Sequence, residues 1–167
     1  PVMTFTRTEV DLARLDGAAF GVTSDDVLRQ VAETLVLEMG GEPSWIAEEL
    51  RALYHAGLAF GANQLVTLVA QSAELLAAAG VEEPQRMLGP LLGAALDNAL
   101  RSGDRALTGP VARGDSGTVT THLRTLAQRA PEAVDAYVAM SRLTAGRALA
   151  AGLLDVAGED PRAAAER

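Results

Sequence analysis

The chain contains no cysteine and no lysine. The first absence excludes a disulfide scaffold, a thiolate nucleophile and any cysteine metal site. The second leaves arginine as the only basic side chain besides histidine and rules out Schiff-base chemistry on a lysine of this chain. Aromatic residues are scarce, at 4%. The apolar 49% is therefore mostly Ala, Leu and Val, a composition suited to closely packed helices. The formal net charge is −8 and no basic run occurs, which argues against nucleic acid and against anionic membrane surfaces as partners. Polar residues interrupt every apolar run, so no transmembrane span is expected. Two histidines without a clustered carboxylate motif predict no metal site. No G-x-G-x-x-G follows a strand, and no Walker loop, G-x-S-x-G or H-E-x-x-H is present. No signal peptide is visible. These features describe a soluble, cytoplasmic, mainly helical protein.

The 167 residues suffice for one large domain, or for one domain and part of another. The stretch from Ala47 to Gly80 dominates the chain. It holds no proline, and Gly80 sits where a helix C-cap glycine belongs. The spacing predicts one long helix that is apolar nearly all round, and such a helix must be buried in a bundle or in a subunit interface. Its few polar groups are then the ones to question. His55, Ala59 and Asn63 fall on one face at i, i+4 and i+8. That face carries a ring able to titrate and an amide that both donates and accepts.

Ahead of that helix the pattern is strand, helix, strand. Residues 1–17 read as loop, and 18–23 as a short buried strand. Ser24, Asp25 and Asp26 are N-cap candidates for a helix from Val27 to Met39, which Gly40-Gly41 ends. Glu42–Ile46 reads as a second strand. Two short strands bury little and leave open edges, so they need neighbours that this stretch lacks. Trp45 and Tyr54 are expected to pack as a wedge where the strands meet the long helix.

Beyond Gly80, Pro84 sits near a helix N1 position. A helix from Met87 to Arg101 follows, with Pro90 expected to kink it or delay its start. Residues 106–117 form a glycine-rich loop, and Asp115 or Ser116 caps a helix running to Ala130. Pro131 opens a last helix that reaches Leu154. In the loop, Gly109 and Gly114 allow unusual backbone angles. Arg113 offers a planar, bidentate grip on a carboxylate or phosphate. Thr108 adds a hydroxyl, and Asp115 either caps the next helix or orients Arg113. The same loop also reads as a plain turn with a local ion pair. His122 reads as a surface residue.

The run Arg51-Ala-Leu-Tyr-His-Ala-Gly57, with Asn63 downstream and Leu107-Thr-Gly-Pro-Val-Ala-Arg-Gly-Asp115 after it, resembles the C-terminal part of a group of Rossmann-like proteins. The group is known as domain of unknown function 2520. It is similar to pyrroline-5-carboxylate reductase and to the 6-phosphogluconate dehydrogenase-like reductases. The opening Pro1-Val-Met-Thr-Phe5 also resembles the group's His-Pro-x-x-x-Phe loop, without its His. The resemblance extends to about Leu154, and the T-G-P-x-x-R-G-D loop is its most specific motif.

The resemblance implies a mainly α fold: a helical 6-phosphogluconate dehydrogenase C-terminal-like domain after a strand–helix–strand remnant of a Rossmann-like domain. Residues 1–46 would be the remnant, 47–158 the all-α dimerisation and substrate domain, and 159–167 a tail. It implies an oxidoreductase using NADP or NAD when full length, with helical domains paired into a homodimer and a small anionic substrate beside the nicotinamide. On this reading the present residues alone are inactive and hold no cofactor. Related dehydrogenases carry a Lys and an Asn one turn apart on the first long helix, and here His55 and Asn63 stand two turns apart. The resemblance makes His55 a proton donor or substrate ligand and Asn63 a substrate hydrogen-bond partner. Arg113 becomes an anion clamp supported by Thr108 and Asp115, and Met3 and Thr4 lie on the cofactor side. The alternative is a non-catalytic helical module for dimerisation or small-ligand binding.

Overall fold

A computed structural model describes residues 1–3, 5 and 10–154. Thr4 and the tail at 159–167 lie outside the described residues. The chain divides into two compact units, Pro1–Leu65 and Val66–Arg167.

The first unit holds α1 (Val10–Ala13), β1 (Ala19–Val22), α2 (Arg29–Glu38), β2 (Glu42–Trp45) and the opening half of α3 (Arg51–Ala78). The strands pair in parallel, with Ala19 opposite Glu42 and Val22 opposite Trp45. The Val2 amide donates to the Ala19 carbonyl at 2.7 Å, so the opening residues run beside β1. The expected side-chain cap near Ser24 is not made: α2 starts at Arg29 without one, and the Asp25 carboxylate instead accepts from the Leu28 amide at 3.0 Å in the turn that precedes it. α2 stops at Gly40, whose φ of 76° few other residues tolerate. Phe20 and Val36 are buried, and the Phe20 ring fills the space a side chain at Gly41 would need.

Of the two aromatics expected to form a wedge, Tyr54 packs against the strands. The Tyr54 ring on α3 covers Gly21 of β1 so closely that no Cβ could fit there. Trp45 takes a different partner, the Arg29 guanidinium, which lies 4.0 Å from the centre of its ring.

α3 is 28 residues long and ends in the pattern a glycine cap produces. The Val81 amide reaches back to the Leu76 carbonyl, and the Gly80 amide to that of Ala77. No residue of α3 is buried within the chain, so of the two expected places for its apolar circumference, a bundle or a subunit interface, this chain does not supply the first. Leu53, Phe60 and Val66 are all more than 60% exposed.

The second unit holds the rest of α3, then α4 (Pro84–Ser102), α5 (Ser116–Arg129) and α6 (Val134–Ala150). Pro84 opens α4 at its first turn, where its missing N–H costs nothing. Pro90 neither delays nor ends α4. Gly89 before it has no Cβ to clash with the proline ring, which removes part of the steric objection. Among its described residues Pro84, Leu88, Ala112, Ala130, Ala133 and Ala148 are buried. Small side chains let α5, α6 and the loop between α4 and α5 approach closely. α6 ends four residues earlier than the sequence suggests, at Ala150, because Gly152 adopts a φ of 68° and turns the chain. Among the described residues no helix is long and apolar enough to cross a membrane.

Candidate functional site

The loop before α5 is held by its own backbone. Gly109 and Gly114 take φ values of 93° and 69°, the conformations expected of them. The Arg113 amide donates to the Gly109 carbonyl and the Asp115 amide to that of Pro110, at 3.2 and 2.8 Å. Ala112 at the centre is 3% exposed and pins the loop to the unit. Before the loop, the Asp104 carboxylate accepts from Arg147 Nε on α6 at 2.7 Å.

Asp115 resolves its two readings in favour of the cap. Its carboxylate accepts from the Thr118 amide at 3.0 Å and from the Thr118 hydroxyl at 2.7 Å. Those two bonds hold its pKa below the ordinary Asp value, with smaller help from the charges of Arg113 and His122. Arg113 projects from the loop as an exposed side chain and forms no ion pair with any described residue. Thr108 is exposed as well.

A cleft of about 340 Å³ opens beside this loop. The loop contributes Pro110, Val111, Gly114 and Asp115, and α5 contributes Ser116, Val119 and Leu123. From α6 come Tyr137, Val138, Ser141, Arg142 and Ala145. The α6 positions 138, 141, 142 and 145 follow i, i+3, i+4 and i+7, so one helical face forms a wall. His122 stands behind it. Its Nδ1 and the Tyr137 phenol share a hydrogen bond of 2.8 Å, with the rings edge to face at 5.9 Å.

Of the residues singled out from sequence, Asp115 lines the cleft. Arg113 and Thr108 belong to the same loop without lining it. His55 and Asn63 lie on the part of α3 within the first unit, both exposed. Met3 is half-buried in the first unit. Arg142 and the His122–Tyr137 pair did not stand out in the sequence. The spacing of Val138, Ser141, Arg142 and Ala145 was the available signal for Arg142. Nothing local links His122 to a residue fifteen positions away.

The fold is mainly α, a helical domain preceded by a strand–helix–strand unit. The chain belongs to the family described as domain of unknown function (DUF2520), whose profile matches residues 18–144. Two solved structures share the fold. Protein TM1727 from Thermotoga maritima is 24% identical, with a TM-score of 0.77 over 87% of this chain and 59% of that one. The putative NADP oxidoreductase BF3122 from Bacteroides fragilis is 22% identical, with a TM-score of 0.64 over 77% of this chain and 49% of that one. The present chain thus spans only about half to three-fifths of their lengths. No functionally curated protein matches it.

Proposed function

We propose that this chain is the substrate-side and dimerising part of a nicotinamide-dependent oxidoreductase. The observation that carries this reading is the parallel pairing of β1 with β2 across α2. Parallel strands joined by a helix occur in larger sheets with covered faces, and a pair alone is marginal. The fold shared with BF3122, of which this chain spans about half, is consistent with that larger sheet being a nucleotide-binding one. Its missing strands would carry the dinucleotide, with NADP as the cofactor that likeness favours. Hydride transfer would belong to the cofactor, and the protein would orient substrate and protons.

Within this reading Arg113 is the anion clamp, with Thr108 beside it and Asp115 holding the loop by capping α5. His55 and Asn63 are the polar candidates on α3 for proton donation and substrate hydrogen bonding. Met3 and Thr4 lie toward the cofactor. The partner that covers the apolar faces is a second copy. Leu53, Gly57, Phe60 and Gly61 form one stripe of α3, and a Cβ at either glycine would meet open space. On α4, Leu96 and Leu100 are exposed on one face. Calorimetry with NADPH and NADH tests the reading, on this chain and on one extended upstream. Binding only by the extended chain is expected, and binding by neither would overturn it.

A second reading rests on a different observation, the cleft between α5 and α6. A helical module that dimerises or holds a small ligand without catalysis would need that cleft and the apolar stripes but no nicotinamide.

A further inference from the structure

We propose that Leu154 is a positioning residue for the loop that carries Arg113, and that the C-terminal end of α6 is the platform on which that loop is held. The sequence after α6 prepares the contact. Gly152 takes a φ of 68°. The Leu153 amide donates to the Ala148 carbonyl at 2.9 Å, and the Gly152 amide to that of Leu149 at 3.1 Å. Those paired bonds are the signature of a helix stopped by a left-handed glycine, and they reverse the chain within one residue.

Leu154 follows that reversal and lands on Gly114. Its Cδ1 lies 2.9 Å from where a Cβ on Gly114 would stand. Gly114 is therefore required for two reasons, its φ of 69° and the room it leaves for Leu154. It sits between Arg113 and Asp115, the cap of α5. Residues 152–154 also lie beyond the stretch that the family profile matches, 18–144.

The same end of α6 grips the chain ahead of the loop. Arg147, in its last turn, donates from Nε to the Asp104 carboxylate at 2.7 Å. The segment 107–113, with Thr108 and Arg113, is thus held on both sides by one helix end. A grip on a planar anion needs its donors placed to within about 0.5 Å. Arg113 is exposed and forms no ion pair with any described residue, so its backbone has to supply that placement.

This inference rests on the reading of Arg113 as an anion clamp only for what the loop is positioned to do. Its test uses neither nicotinamide nor substrate, so either idea can fail without the other. Leu154 is half-buried, and Leu154→Ala leaves the fold standing. The probe is amide hydrogen exchange on this chain. The Arg113, Gly114 and Asp115 amides, which donate to the carbonyls of Gly109, Val111 and Pro110, should exchange about fivefold faster in Leu154→Ala, with α4 unchanged. Leu154→Met, an adaptable side chain of similar volume, should restore them. Gly114→Ala should lower the urea midpoint more in the wild type than in Leu154→Ala, because only the wild type has Leu154 to displace. Unchanged exchange at the three amides would overturn the proposal. So would a uniform rise across the second unit, which is what a merely stabilising side chain gives. An equal effect of Gly114→Ala in both backgrounds would overturn it too.

Discussion

The two units are incomplete in different ways. In the first, the backbone is unfinished: β1 and β2 pair with each other, and of the other edges only Ala19 meets a described backbone partner, Val2. In the second, the backbone is finished. α3, α4 and α6 end at turning glycines, Asp115 caps α5, and an ion pair ties α6 to the turn after α4. What remains open there is side-chain surface, the apolar face of α4 and the cleft. Unpaired strand edges call for more strands, whereas uncovered apolar helix faces call for another helix or a ligand. The first unit therefore calls for further strands, and the second for a partner or small molecule.

The largest effect is expected on self-association. Leu100 is 80% exposed on α4, and Leu100→Glu should weaken the proposed dimer by about a hundredfold, since a charge buried without a partner is severely penalised. Sedimentation equilibrium reads this directly. An unchanged assembly would show that the α4 face is not where copies meet.

Next comes the packing of the strand unit. Gly41→Ala drives a methyl into the Phe20 ring and to 3.0 Å from the Ala18 carbonyl. Overpacking of this kind costs about 1–3 kcal/mol, measurable as a drop in the urea midpoint. A neutral result would mean that the strand pair shifts freely, contrary to a framework built to carry further strands.

A smaller effect concerns the finished backbone of the second unit. Asp115→Ala should lower Tm by a few degrees through loss of the α5 cap. The acid dependence has a definite sign. The Asp115 pKa is lowered on folding, so its contribution is complete above the ordinary Asp value of 3.8 and fades as pH falls through the lower folded value. The gap in urea midpoint between wild type and Asp115→Asn should stay level down to pH 3.8 and close only below it. A gap that closes at higher pH would contradict the cap geometry.

The smallest is Arg113→Ala. As the proposed clamp it should raise KM for an anionic substrate of the extended protein while leaving the fold intact, because Arg113 has no ion pair with any described residue. Unchanged kinetics with a verified substrate would remove the clamp.

What could be read in advance was local chemistry. Gly80 and Gly40 as helix stops and Asp115 as the cap of α5 follow from residues within a few positions of one another. Pro90 did not delay the start of α4, which Pro84 opens six residues earlier. The long helix itself was legible, but an apolar circumference says that burial is needed, not whether the same chain or a partner provides it. The cleft was hidden because it depends on which face of α6 meets α5, and the His122–Tyr137 bond joins residues whose helices had first to pack.

Amide hydrogen exchange on this chain and on one extended upstream tests the central contrast most directly. The account predicts at least about tenfold stronger protection across Ala19–Val22 and Glu42–Trp45 in the longer chain, with α5 and α6 unchanged. Equal protection of the strands in both chains would contradict it, because the pair would then be a finished sheet and the larger fold would have no claim on it.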